Sequence, residues 1–464
     1  MRQLAAVVLK HFVHADWPRL AEAEKACVRA ALPAGLRDGH GRIRTAVSVV
    51  IAAVARTDWP EAWPTLLADL TLPLEEAGAA TDTVAGALRC LEICAAELAG
   101  EHMRPALQRL LPRLLEVFVN RQGLHGARTR ARAVRVLHKL VERASMLCDD
   151  EKLLQQLQRG PLAEWVGVLL AELATPLSEH EDCSVAIALL RLLRLLAEQA
   201  PLALKPHAPR LLPPLGALLA GAMAVSNARM VADDADALDG GGGVCDSDGG
   251  MLGLSALISQ LLDVLAALAG SSRWSKLLLP ALPEVFFGLV VLMQIPPATE
   301  ATWATDLAQY LEDEDQDTFA VSTRVAAQQC VLELLDWYGR KALPPLVGAV
   351  QRCMAEAEQA GPPHGWRARE ASWVTLALGG ELLGEAAARR KRGGGGGAGA
   401  AGGAAGGAAA PPLEPSVLFT DARLLSADLT PTTPPLLRGR ALCAAATFAA
   451  AAPAHALAPL VRAT

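Results

Sequence analysis

The side chains of this chain that can do chemistry are mostly charged ones, and they are unevenly distributed. Between Glu101 and Arg143 stand ten cations: Arg104, Arg109, Arg113, Arg121, Arg128, Arg130, Arg132, Arg135, Lys139 and Arg143. Only Glu101, Glu116 and Glu142 oppose them. Arg128, Arg132 and Arg135 recur at steps of four and three, which puts them on one face of a helix. Such a face is either a solvated outer surface or a patch for an acidic protein partner. Direct nucleic-acid binding is disfavoured, because the aromatic rings on which bases stack are not interleaved with it. Two acidic clusters answer the basic one. Asp233, Asp234, Asp236, Asp239, Asp246 and Asp248 surround a glycine tract, and Glu312-Asp313-Glu314-Asp315-Gln316-Asp317 forms an unbroken polar run. Like charges repel, so these segments stay open unless something basic neutralises them. The residues singled out for partner binding are therefore Glu312, Asp313, Glu314, Asp315 and Asp317 on one side and Arg128, Arg132 and Arg135 on the other.

Catalytic signatures are missing. The sequence holds no GxxxxGK[ST], HExxH or GxSxG motif, so no phosphate loop, zinc helix or nucleophile elbow is expected. Asp246-Ser247-Asp248-Gly249 opens like a calcium loop, but the twelfth position is Leu257, where a bidentate Glu is needed. His180-Glu181-Asp182-Cys183 offers ligand types that cannot all face one ion from successive positions. A formal GxGxxG within the glycine–alanine tract has no strand before it. The reading is a chain with no catalytic, cofactor-binding or metal-binding residues.

The elements that must carry the charged residues are helices. The chain has 464 residues, 52% of them hydrophobic and only 4% aromatic, with a net charge of −6. That balance disfavours sandwiches and barrels, and it is too apolar for disorder. Prolines mark a repeat. Taking Pro64, Pro112, Pro161, Pro213, Pro283, Pro345 and Pro459 as starts of helices, the spacings are 48, 49, 52, 70, 62 and 114. Proline fits a first helical turn because its missing N–H would find no partner there anyway. Before most markers runs a second helix, as in Ala87–Leu98, Ala131–Ala144, Val185–Gln199, Ala256–Leu268, Val325–Tyr338 and Glu370–Leu383. The pattern predicts an all-α HEAT-repeat α-solenoid, a superhelical stack of about ten antiparallel helix pairs at ~40–47 residues each.

Asp58-Trp59-Pro60-Glu61-Ala62-Trp63-Pro64 is the most distinctive motif. The spacing predicts that Asp58 caps a following helix with Glu61 completing a capping box, and that Trp59 and Trp63 wedge between helices. The nine cysteines lack a disulfide rhythm and are read as reduced, buried thiols. No signal peptide is expected at Met1-Arg2-Gln3-Leu4, and the most apolar stretch, Leu277–Met293, is interrupted by Pro280, Pro283 and Glu284. Taken together these features predict a soluble intracellular chain with no membrane partner.

Several stretches, in order along the chain, resemble the karyopherin-β (importin-β) family of nuclear import receptors. They include Leu32-Pro33-Ala34-Gly35-Leu36-Arg37, Arg42-Ile43-Arg44-Thr45-Ala46-Val47-Ser48, the Asp58–Pro64 motif and Gly126–Val134. Further on come Leu282-Pro283-Glu284, Met293-Gln294-Ile295, Trp303, Glu312–Phe319, Arg324-Val325-Ala326-Ala327-Gln328 and Leu437–Leu442. The resemblance implies a non-enzymatic receptor, a monomer shuttling between cytoplasm and nucleus and passing transiently through the nuclear envelope. It implies binding of the small GTPase Ran in its GTP form, of basic cargo such as histones or ribosomal proteins, and of nuclear pore proteins. Within it, residues 1–46 are a remnant of the family's N-terminal domain, and 47–388 are a HEAT array with acidic loops near 233–250 and 306–317. Residues 389–415 are a flexible Gly/Ala loop added to the family pattern, and 416–464 are final HEAT-like helices. It also implies a start inside the family's N-terminal domain and an end near the middle of a family-length receptor. Without the resemblance, the helix repeat alone supports a generic HEAT scaffold such as a phosphatase regulatory subunit.

Overall fold

The computed structural model describes residues 2–76, 79–96, 100–119, 123–147, 150–176, 182–232, 252–314, 322–361, 364–393 and 414–453. Among these residues every regular element is helical. The acidic cluster at 233–250, Asp315 and Asp317, most of the Gly/Ala segment and the Pro459 marker lie outside them. The chain divides into two compact units, one drawn from Met1–Thr175, His180–Pro214 and Gly243–Gln260, the other from Pro176–Glu179, Leu215–Gly242 and Leu261–Thr464.

The first unit has two helical layers. Helices Arg2–Asp16, Gly41–Asp58, Thr81–Ala95, Ala127–Leu147 and Ser184–Gln199 pack in that order, each on the next. Leu66–Glu75, Gly100–Val119 and Pro161–Leu173 form the second layer and follow one another the same way. Helix Ala127–Leu147 buries a stripe against both neighbours in its layer and against Gly100–Val119 of the other. In Ala127–Leu147 the stripe includes Ala133, Val134, Leu137, Leu140 and Val141, all essentially inaccessible to water. At roughly 25 cal/mol per Å² of apolar surface, such stripes supply most of the drive for stacking. The second unit repeats the scheme: Thr323–Tyr338, Gly365–Leu378 and Pro435–Thr447 pack on one another, and Leu282–Leu292 packs on Leu343–Ala360.

Proline marks some helix starts but not all. Pro161 opens its helix, and Pro283 and Pro345 sit in the first turns of theirs. Pro112 does not: it lies inside Gly100–Val119 together with Pro105. An interior proline removes one backbone donor and crowds the preceding turn. Here the apolar contacts of Met103, Ala106, Leu107 and Leu110, which precede it and are buried, carry the helix through. The run Glu370–Leu383 is likewise two helices, Gly365–Leu378 and Gly380–Gly393, split at a glycine pair. A side chain at Gly380 would collide with the Thr447 methyl, so glycine lets this helix start pack closely against the end of Pro435–Thr447.

Two boundaries move. Residue 46 falls inside helix Gly41–Asp58, so nothing separates residues 1–46 from the array there. The start of the second acidic segment is helix Leu307–Glu314 rather than a loop, because the Asp306 carboxylate accepts the N–H of Ala308 at 2.9 Å and of Gln309 at 3.1 Å, a helix cap. The apolar stretch Ser275–Leu292 is long and apolar enough to cross a membrane by composition alone. It is divided into Ser275–Leu278, Leu279–Ala281 and Leu282–Leu292, and 56% of it is buried inside the protein. Cys90, Cys183, Cys330 and Cys353 are buried as expected, whereas Cys27 and Cys443 are exposed.

Candidate functional site

In the first unit, three neighbouring helices of one layer carry a cluster of guanidinium groups. Arg44 is on Gly41–Asp58, Arg89 on Thr81–Ala95, and Arg128, Arg132 and Arg135 on Ala127–Leu147. All five line one concavity of about 250 Å³, with Asp82 on its wall. Arg128 is the exposed member, its side chain 65% accessible, and it reaches Asp182 at 3.4 Å. Arg132 and Arg135 are mostly covered and converge on Glu92 at 3.7 and 3.2 Å, where Arg89 joins them at 3.2 Å. Arg44 pairs with Asp82 at 2.9 Å. The steps of four and three thus bring the three predicted arginines to one place, along with two cations the sequence reading did not single out. Arg44 and Arg89 escaped it because their helices carry no charge run, and only the stacking of repeats places them there.

The acidic side is built differently. Glu312 is exposed. Asp313 is half-buried and accepts hydrogen bonds from Trp303 Nε1 and from Gln309 Nε2, both at 2.8 Å. The Trp303 ring meets Tyr310 edge-on at 5.1 Å. Glu314 accepts from Arg324 Nε at 3.0 Å and pairs with Arg440. Both arginines also bind Glu370, which is 1% exposed: Arg324 through a two-pronged contact at 2.8 and 2.9 Å, Arg440 at 3.1 Å. Arg324 further donates to the Met293 carbonyl. This network ties the start of the acidic run to helices Thr323–Tyr338, Gly365–Leu378 and Pro435–Thr447.

Asp58 departs from the capping role. It ends helix Gly41–Asp58, and its buried carboxylate accepts from Trp17 Nε1 and Thr57 Oγ1, each at 3.0 Å, and from Arg29. Burial alone would raise its pKa, but these bonds and the Arg29 charge hold it below the ordinary carboxylate value. Its backbone carbonyl accepts from Ala62 and Trp63 at 2.7 and 2.8 Å, which organises the turn that contains a cis Trp59–Pro60 bond. Trp63 is buried as expected, while Trp59 is half-exposed and stands edge-on to His102 at 4.8 Å.

No family model matches the chain. Importin-9 of Drosophila melanogaster is 22% identical over 386 residues, 80% of this chain and 37% of that protein. The chain is thus similar to an importin along most of its own length. Mouse importin-11 is 37% identical over a shorter stretch of 75 residues, 15% of this chain and 8% of that protein. Among solved structures, Lph2 of S. cerevisiae, a bidirectional nuclear transport receptor, superposes with a TM-score of 0.60 at 14% identity, covering 96% of this chain and 44% of that one. Kap121p bound to RanGTP gives 0.56 at 16% identity, covering 99% of this chain and 40% of that one. The fold is the HEAT-repeat solenoid of the karyopherins. The chain spans about two fifths of the length of the relatives it matches across most of its own length.

Proposed function

We propose that this chain serves a nuclear transport receptor that binds Ran in its GTP form and carries basic cargo, of histone or ribosomal-protein type, from cytoplasm to nucleus. The observation that carries the reading is the order of matching stretches along 80% of the chain with an importin. The fold shared over 99% of the chain with a karyopherin crystallised on RanGTP supports the GTPase part. That same karyopherin has been crystallised with Nup53p, which supports contact with nuclear pore proteins. Arg128, Arg132 and Arg135 would face an acidic surface of a partner, and Glu312 with Asp315 and Asp317 would face basic cargo. The receptor acts as a monomer and performs no catalysis.

The test is a pull-down of purified Ran loaded with GTP or GDP, beside titration of a histone dimer at increasing salt. Preferential retention of the GTP form and salt-sensitive histone binding are expected. Equal retention of both forms, with no histone binding at low salt, would sink the proposal for this chain.

A further inference from the structure

Tryptophan is mostly covered in this protein, and the exception marks a surface. Of the nine tryptophans, Trp337 alone is largely open to solvent, at 57% exposed. It stands in the last turn of helix Thr323–Tyr338 in the second unit. Its Nε1, Cε2 and Cζ2 lie 2.9–3.0 Å from where a Cβ of residue 270 would sit, at the end of helix Leu254–Gly270. Because Gly270 carries no side chain, the indole rests against that backbone and keeps most of its surface free. The next residue clamps the neighbouring segment, since the Tyr338 hydroxyl donates to the Ser275 carbonyl at 2.7 Å. Arg273 and Lys276 flank Ser275, and Arg340 and Lys341 follow Tyr338; all four are exposed. None of their charged groups takes part in an ion pair among the described residues. Residues 270–279 and 336–342 hold these four cations and one carboxylate, Asp336. Cations are favoured after a helix C-terminus in any case, but an exposed indole among them is not.

We infer that the surface formed by Trp337 with Arg273, Lys276, Arg340 and Lys341 binds single-stranded nucleic acid. Each nucleotide brings a flat ring and an anion a few ångströms apart, and this surface offers one indole face with unpaired cations around it. Stacking on an aromatic side chain tolerates any base, while lysines and arginines track the phosphates. An acidic peptide would satisfy the cations and leave the indole in water. A duplex would present phosphates but keep its base faces inside its own stack. The basic run between Glu101 and Arg143 lacks a ring of this kind; the second unit supplies one. The inference does not rest on the GTPase and cargo reading.

The experiment uses the full chain and a short fluorescein-labelled oligouridine, followed by fluorescence anisotropy over a range of salt. Binding is expected, with log affinity falling against log salt at a slope of about −2 to −3, or about −0.7 per phosphate neutralised. Trp337→Ala should weaken it at least about fivefold, and Trp337→Phe, which keeps a flat ring, by less than about threefold. Arg340→Gln combined with Lys341→Gln should weaken it and flatten the slope by about 1.4. Lys152→Gln combined with Arg159→Gln removes two exposed, unpaired cations of the first unit and should leave binding intact. Far-ultraviolet spectra should be the same for all variants. Oligouridine that fails to bind at low salt overturns the surface, and so does binding that ignores Trp337→Ala. An abasic strand, a duplex or an oligoglutamate that binds as tightly as oligouridine overturns it too, the last in favour of an acidic protein partner. A chain that binds Ran-GTP and histones normally but fails these tests loses this surface alone.

Discussion

The two units of this protein handle buried charge in opposite ways. Around Glu92 in the first unit, one carboxylate serves Arg89, Arg132 and Arg135, and these guanidinium groups line an open recess. Around Glu370 in the second, two carboxylates and two guanidiniums close on one another, with Glu314 as the second acid and Arg324 and Arg440 as the cations. The second arrangement is neutral and self-satisfied, and so structural. The first leaves its guanidinium groups lining an open recess, with Arg128 exposed. A run of acidic residues or of arginines therefore does not disclose its role by its length. What decides is whether the opposite charge is already built into the packing.

If this contrast is right, breaking the closed network should have the largest effect on stability. Glu370→Gln leaves Arg324 buried with only part of its compensation, and removing one member of a buried ion pair costs roughly 3–5 kcal/mol. Urea unfolding of the full chain should show that loss. A change below about 1 kcal/mol would mean that the network is no more than a surface ion pair. Changes in the open cluster, such as Arg128→Gln, should by contrast affect binding while barely moving the unfolding midpoint.

Asp58 gives the next effect. Asp58→Asn weakens the contacts with Trp17 and Arg29 and should cost about 2–3 kcal/mol. It also predicts a pH signature. The folded carboxyl titrates below its unfolded value of about 3.9. Its contribution is thus full above that value and is lost as pH falls through the folded pKa. The wild-type chain should lose stability as the pH drops below about 4, and the Asn variant should lose less over the same range. Parallel acid profiles would contradict the role assigned here.

Much of this was legible in the sequence, and the reasons for the rest are physical. The 3.6-residue stripes and the proline spacing revealed a helical repeat, because burial of an apolar face leaves a local pattern. The convergence of Arg128, Arg132 and Arg135 was legible for the same reason, since they share a helix. Arg44, Arg89 and Ser184 were not, because a layer of stacked repeats joins residues 40 to 140 positions apart and leaves no local trace. Asp58 misled for a related reason. Ahead of Pro60 and Glu61 it has the spacing of a helix cap, but its partners Trp17 and Arg29 lie on earlier elements. Glu312 through Glu314 look like one acidic run, yet Asp313 and Glu314 face Trp303 and Arg324 while Glu312 faces water.

That division sharpens the cargo reading. Glu314→Gln should lower stability by about 1–3 kcal/mol, because it loosens Arg324 and Arg440. Glu312→Gln should leave stability within about 0.5 kcal/mol and weaken only the binding of a basic cargo such as a histone dimer. Measuring unfolding and cargo affinity on both variants separates anchor from contact. If Glu314→Gln lowers cargo affinity without touching stability, its pairing with Arg324 is not an anchor.

The smallest effect is expected where the geometry looks richest on the surface. Arg352 pairs with Glu284 at 3.1 Å and Glu356 at 3.2 Å, and its guanidinium lies 3.5 Å from the centre of the Phe287 ring. All of this happens with the Arg352 side chain about half exposed and Glu284 three-quarters exposed. Water and salt screen such pairs, and their net worth is about 0–1 kcal/mol. Arg352→Gln should therefore shift the unfolding midpoint far less than Glu370→Gln, although it removes two ion pairs and a ring contact. Comparing the two variants at low and at high salt isolates the cause. Added salt should erase what little Arg352 contributes and leave the Glu370 effect nearly unchanged, because screening ions cannot enter a network that is 1% exposed at its centre.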